Sequence, residues 1–321
     1  MNPFKTTQAD PARISDAWKL IEPHVHQTPV LTSTLFNEWI GTKVYFKPEN
    51  LQKTGSYKIR GATHAILRLS EDQRKKGVVT HSSGNFAQAL SLAAKNMGIP
   101  AYIVMPINAP AIKQEAVKGY EGIITSCEPT LEARESAASK IIEQTGATFI
   151  HPSNDLQVIL GQGTAAYELL KEVSDLKNII APVGGGGLLA GTSLAAKQLS
   201  PHCEVIGAEP YEVDDAYRSL ISGKIETNET TNTIADGLRT QLGDVSFPII
   251  KEHVSKIIRV EEDEIKKAMM WVWERMKIVI EPSSAVAVAA VIKERHLFQK
   301  GPIGIVISGG NTDVSHPVFT N

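Results

Sequence analysis

A chain of 321 residues, 42% of them hydrophobic, is long enough to bury one large or two medium cores. Its formal charge of -2, with no basic tail and no long block of one sign, gives no electrostatic reason for nucleic-acid or membrane binding, and no apolar run is long enough to span a bilayer. Only Cys127 and Cys203 occur, without a CxxC pair, which argues against a disulfide framework or a structural zinc site.

The N-terminal MNPFKTTQAD lacks an apolar signal core, so a cytoplasmic location is expected. The first predicted strand is KVYFK (43–47). TGSYKIRGA (54–62) follows, with a single lysine, Lys58, at an expected helix start. Ile59, Ala62, Ile66 and Leu69 recur there at helical spacing, and Ser56 is placed to cap the helix by accepting from a free N–H. A lysine in a first turn has the wrong sign for the helix dipole, which singles Lys58 out. GVVTH (77–81), AYIVM (101–105), GIITS (122–126), NIIAPV (178–183), EVIGA (204–208) and IGIVIS (303–308) read as buried strands. NFAQALSLAAKNMG, PAIKQEAVKGY and LEARESAASKIIEQTG read as helices between them. That alternation predicts an α/β fold of mostly parallel sheets with helices on both faces. Residues 75–153 group as a small domain; residues 1–74 plus 154–321 form a larger one, with a cleft between the two.

In open parallel sheets ligands bind outside the carboxyl ends of the strands. Three polar loops are expected there: Ser82 to Asn85 (SSGN), Gly184 to Gly187 (GGGG), and Ser308 to Asn311 (SGGN). Consecutive glycines before the helix LLAGTSLAAKQL let backbone N–H groups close on an anion, so a phosphate is the expected ligand. Two enzyme readings compete for it. Gly185 to Ala190 fits a GxGxxA dinucleotide fingerprint, with Glu209 after the next strand, but this leaves Lys58, SSGN and SGGN without a task. Pyridoxal phosphate uses all of them: a phosphate cradle, an attaching lysine, and polar groups for its ring oxygen and nitrogen. A non-catalytic small-molecule binding protein would need the cradle and not the lysine. The nine histidines show no metal-ligand spacing, and His81 reads as a strand-end packing residue.

KPENLQKTGSYKIRGA, HSSGNFAQAL, GQGTAAYELL, PVGGGGLLAG, TIADG, VWERMKIVIEP and VISGGN, in this order over nearly the whole chain, resemble the fold-type II pyridoxal-phosphate enzymes. The resemblance is greatest to the serine racemase and serine/threonine dehydratase group. It implies two open parallel-sheet α/β domains with the cofactor in the cleft, and no C-terminal regulatory domain. The implied activity interconverts L- and D-serine and eliminates water from L-serine and L-threonine; dehydration of threo-3-hydroxyaspartate is the alternative within the group. By resemblance, Lys58 carries the cofactor beside Tyr57, and Asn85 bonds the ring 3′-oxygen. Gly184, Gly185, Gly186, Gly187 and Leu188 hold the phosphate, and Ser308 faces the ring nitrogen. Ser82, Ser83 and the helix start at Asn85 take the substrate carboxylate. Lys58 is the base on one face; Ser83 is either the acid/base on the other or only a cap or carboxylate ligand.

The resemblance also implies a Mg²⁺ or Ca²⁺ site at Glu209, the Val213 carbonyl and Asp215, all oxygen donors. Ser33, Thr34, Lys53, Thr54, Gln88, Tyr120, Lys277 and Asn311 match positions that bind ATP as an activator at a homodimer interface. Arg134 matches an arginine linked with acidic substrates. Two departures from the group stand out: Phe86 where histidine is common, which counts against dicarboxylic substrates, and Tyr57 where phenylalanine is usual.

Overall fold

The computed structural model describes residues 10–109 and 111–313, and of Ile112 only the backbone. The segment MNPFKTTQA, Pro110 at the predicted start of a helix, and the residues after Asp313 lie outside that range. Ten strands form two sheets. The larger has the order β1-β2-β10-β7-β8-β9: β1 (Leu31–Thr32), β2 (Val44–Pro48), β7 (Asn178–Pro182), β8 (Glu204–Pro210), β9 (Val254–Val260) and β10 (Ile303–Ile307). Every pairing in it is parallel except that of β1 with β2. The smaller, wholly parallel, has the order β5-β4-β3-β6: β3 (Val78–His81), β4 (Ala101–Pro106), β5 (Ile123–Cys127) and β6 (Thr148–Phe149).

All seven expected strands are present, and KVYFK pairs in the larger sheet beside β10. GIITS is not buried as expected: β5 is an edge strand and Ile123 is 48% exposed, because nothing packs on its outer side among the described residues. The strand VSKIIRV (β9) escapes the sequence reading because Lys256 and Arg259 interrupt its apolar run. Ser56 does not cap the helix at Lys58. It lies in extended backbone that bridges to Gly309, and its buried Oγ has no partner among the described residues. Pairing with the end of β10 has taken the place of capping.

Three helices set the site. The Lys58 helix (Lys58–Leu67) and the loop helix (Gly187–Leu199) both cross a central helix (Leu156–Glu172) at glycines. A Cβ on Gly61 would meet the Val158 carbonyl at 2.8 Å, and one on Gly163 would strike the Gly191 carbonyl. Backbones therefore touch, and the distance from Lys58 to the glycine loop is set by main-chain contact. Ile59, Ala62 and Ile66 share a core with Val78 and Ile103, so the Lys58 helix also packs on the smaller sheet.

A buried charge cluster locks this arrangement. The Arg60 guanidinium donates to Glu49 at 2.6 and 2.8 Å and to Glu168 at 2.8 Å, and Lys47 Nζ donates to Glu168 at 2.6 Å. Arg60 and Glu49 are wholly buried. Arg60→Met leaves two buried carboxylates facing only Lys47, and removing one partner of a buried pair costs about 3–5 kcal/mol. Urea unfolding should show a loss of that size; an unchanged midpoint would refute the role given to the cluster.

Candidate active site

The three expected loops do sit at the carboxyl ends of β3, β7 and β10. The glycine loop follows β7. Gly184 to Leu188 are all buried, and among the described residues their amides donate no backbone hydrogen bond. Gly186 has φ +83° at the N-cap, a conformation that favours glycine. Cβ atoms on the others would collide with the Leu238 backbone, Ser153 and Gln162. Close packing together with unpaired buried donors at a helix N-terminus is the donor set of a phosphate site.

Lys58 Nζ donates to the Pro152 carbonyl at 3.1 Å and lies 4.9 Å from the Tyr57 ring centre. Burial pushes its pKa down to about 8, with the charge of Glu281 opposing the shift. The acceptor belongs to a segment, HPSN (151–154), that joins the parts of the site. Pro152 O also accepts from Gln162 Nε2 at 3.2 Å, and Ser153 abuts Gly185 and Gly187. His151 Nδ1 accepts from the amides of Ser153 (3.2 Å) and Asn154 (2.8 Å). Burial, followed by the charges of His81 and Lys58, pushes His151 down to about 4, so it stays a neutral acceptor at neutral pH. No sequence signal marks this segment, because its function is carried by backbone carbonyl and amide groups.

SSGN and SGGN meet through Glu281. Asn85 Nδ2 donates to both Glu281 oxygens at 3.0 Å, Asn311 N donates to Glu281 at 3.2 Å, and Asn311 Nδ2 donates to Asn85 Oδ1 at 2.9 Å. Burial pushes Glu281 up to about 7. In the sequence it reads as an acid ahead of Pro282 at a helix start, which conceals it. Ser83 has no hydrogen bond among the described residues, and the cap of helix Asn85–Asn96 is Gly84, so Ser83 is not a helix cap. Ser308 Oγ lies 2.9 Å from Ser284 Oγ, which already donates to the Gly309 carbonyl at 2.6 Å. With its own proton on the Gly309 carbonyl, Ser284 can only accept in that contact, so Ser308 is the donor, and its proton would have to leave Ser284 to serve a ring nitrogen.

The pattern described as "Pyridoxal-phosphate dependent enzyme" matches residues 21–309. A serine racemase of Dictyostelium discoideum is 54% identical over 306 residues, covering 94% of each chain. A beta-hydroxyaspartate dehydratase of Paracoccus denitrificans is 45% identical, covering 93% of this chain and 95% of that one. The structure of maize serine racemase superimposes with a TM-score of 0.94 at 45% identity, over 96% of this chain and 95% of that one. The chain belongs to the pyridoxal-phosphate dependent enzyme family.

The residues present fit that cofactor: unpaired amides for a phosphate, an amine of lowered pKa, and a neutral hydroxyl for a ring nitrogen. Asn85 Nδ2 has two protons; one suffices for Glu281, leaving the other for a ring oxygen. The dinucleotide reading fails at Glu209. That side chain is fully buried and accepts from the amides of Ala216 (3.1 Å) and Tyr217 (2.9 Å), so it has no reach to a ribose.

Glu209 and Asp215 lie together. Asp215 is also fully buried and accepts from Asn228 Nδ2 at 2.7 Å and Leu242 N at 2.9 Å. Burial pushes Asp215 up to about 6; burial, then the charge of Asp215, holds Glu209 well above the usual carboxylate range. Of the residues matched to ATP, Thr54 and Asn311 meet: Asn311 Nδ2 donates to Thr54 O at 2.7 Å, and Thr54 has φ 59°. Ser33 caps helix Thr34–Ile40, and Lys53 Nζ donates to His24 O at 2.7 Å. No hydrogen bond among the described residues joins Ser33, Thr34, Gln88, Tyr120 or Lys277 to Thr54 and Asn311. Arg134 has its Nε buried without a partner among the described residues, and its charge reaches His81 at the end of β3.

In the cofactor-free chain, Lys58 should gain reactivity toward an amine acylating reagent with a midpoint near pH 8, not 10.5. The charge of Glu281 favours the ammonium form, so Glu281→Gln should move the midpoint lower still. Peptide mapping of acylation against pH reads both; an ordinary lysine midpoint would count against the burial argument.

Proposed function

We propose that this chain interconverts L- and D-serine and eliminates water from L-serine and L-threonine, giving pyruvate or 2-oxobutanoate with ammonia. The observation that carries this reading is that one segment, His151–Asn154, holds both the lowered amine of Lys58 and the cradle of unpaired amides. Serine racemases among the similar proteins support the substrate. Pyridoxal phosphate, when bound, supplies the electron sink for breaking the α-C–H bond of the amino acid. Gly184 to Leu188 would hold its phosphate, Lys58 would attach it beside Tyr57, and Asn85 and Ser308 would contact its ring. Ser82, Ser83 and the amide end of helix Asn85–Asn96 orient the substrate carboxylate. Neutral Lys58 takes the α-proton on one face, and Ser83, whose hydroxyl is otherwise unpaired, exchanges it on the other.

A second reading, dehydration of threo-3-hydroxyaspartate, is favoured by the unpaired Nε of Arg134, which suits a second substrate carboxylate. Assaying keto acid and enantiomer together for serine, threonine and 3-hydroxyaspartate separates the two readings. Ser83→Ala should abolish racemisation and D-serine breakdown while L-serine dehydration survives in part. Lys58→Ala should abolish every reaction that starts from an L enantiomer. Interconversion by Ser83→Ala at the wild-type rate would remove Ser83 from acid/base chemistry.

Further parts belong to the same proposal. Residues 75–153 act as a small domain against 1–74 plus 154–321, with the 2.6 Å ion pair of Lys113 and Asp236 spanning the two. The protein works in the cytoplasm as a homodimer. Exposed Leu35, Trp39 and Met270 around a groove of about 360 Å³ support a second copy there. ATP binds near Lys53, Thr54 and Asn311. Mg²⁺ or Ca²⁺ binds at Glu209, Asp215 and the Val213 carbonyl, which would offset the burial of two carboxylates.

The cation has a pH signature. A carboxyl whose folded pKa exceeds its unfolded value binds extra protons in the folded state, so stability falls as pH rises through the interval between the two. For Asp215 that interval runs from 3.8 to about 6. In chelator the melting temperature should decline across it, and Asp215→Asn should flatten the decline. Mg²⁺ or Ca²⁺ should raise the melting temperature above the interval and not below it. Equal effects on both sides would place the cation elsewhere.

A further inference from the structure

A cavity of about 110 Å³ lies where helix Arg13–Ile21, the Lys58 helix and the first turn of the central helix meet; Arg13, Asp16, His64, Arg68 and Gln157 line it. None of these residues has a part in the chemistry above. His64 is 4% exposed. Its Nδ1 lies 2.7 Å from the Gln157 carbonyl, which can only accept, so Nδ1 carries the proton. The other ring nitrogen has no hydrogen bond among the described residues. Gln157 Oε1 is likewise buried without a partner among the described residues.

Arg13 and Arg68 are in no ion pair among the described residues. Burial, then the charges of Arg68 and Arg13, hold the His64 imidazole down to about 4. Two arginines and one carboxylate, Asp16, therefore line a cavity that also holds a buried ring and an unsatisfied amide, leaving net positive charge there. A guanidinium fork matches the paired oxygens of a tetrahedral oxyanion, and the Gln157 amide can turn its N–H side to such a ligand. A water's share of liquid volume is about 30 Å³, so the cavity has room for one small ion and none for a nucleotide.

We propose that this cavity binds a small tetrahedral oxyanion, of the charge and size of inorganic phosphate or sulfate, clamped by Arg13 and Arg68 over His64. The ligand would tie three helices together. It would also stiffen the Lys58 helix, since His64 lies on it and Gln157 closely follows Pro152, the acceptor for Lys58.

The test is calorimetric titration of the cofactor-loaded, full-length protein with sulfate, phosphate and acetate at constant ionic strength, with melting temperatures in parallel. Sulfate and phosphate should saturate a site and raise the melting temperature; acetate should bind more weakly. Arg13→Gln and Arg68→Gln should each weaken binding about tenfold, the change expected for one lost charge-assisted bond. Asp16→Asn should tighten binding by removing the one anion in the wall. Arg68 is exposed and Arg13 partly so, and the visible absorbance of the bound cofactor checks that each variant is folded. If Arg68→Gln does not fold, Arg13→Gln and Asp16→Asn decide alone, with their opposite signs. Absence of saturable binding, binding untouched by the arginine variants, weaker binding in Asp16→Asn, or acetate equal to sulfate would each overturn the proposal.

Discussion

Arg60, buried between Glu49 and Glu168, is the contact on which the geometry of the site depends. Burying four charges is expensive, and such a cluster is worth little net stability compared with apolar residues of the same shape. Its effect is one of direction. The guanidinium fork donates to carboxylates only in a narrow geometry, so the first turn of the Lys58 helix is held in one rotation against the end of β2 and the central helix. Lys58 stands in that same turn. With two cations and two anions, and Thr28 and Thr164 bonded to the cluster, the charges balance inside it.

From that fixed helix the site is assembled mainly by backbone. The Pro152 carbonyl receives the Lys58 amine, the glycine amides are unpaired among the described residues, and the amides of Ser153 and Asn154 are gathered by a neutral His151. Backbone groups at close-packed glycines cannot reorganise when charge arrives, which is the condition for electrostatic preorganisation. Titratable groups are kept near their switching points by burial. Burial brings Lys58 down to about 8 and Glu281 up to about 7, so both titrate near neutral pH.

Much of this was legible in the amino-acid order. Strand and helix alternation, the strand-end loops and the isolated lysine are local features, set by periodicity and by which residues tolerate close backbone approach. They are enough to specify a parallel α/β fold and a phosphate-and-lysine site. Resemblance in motif order carried the same residues to pyridoxal phosphate.

What the linear pattern left open depends on contacts between residues distant in the chain. Ser56 carries the local signature of a cap, but bridging to Gly309 pulled it into extended backbone. Strand β5 has the composition of a buried strand, yet its exposure follows from its place at the sheet edge. Glu281 and the 151–154 segment look ordinary in sequence, because burial, not residue type, shifts a carboxyl and a carbonyl has no one-letter code. Glu209 fits a dinucleotide motif by spacing, and only its burial against Ala216 and Tyr217 disqualifies it. The sequence by itself determined which elements form and which chemistry is on offer, since both follow from local propensity and side-chain type. Tertiary structure decided which groups meet, which lose water and therefore which charges shift, because desolvation and long-range pairing exist only in the packed chain.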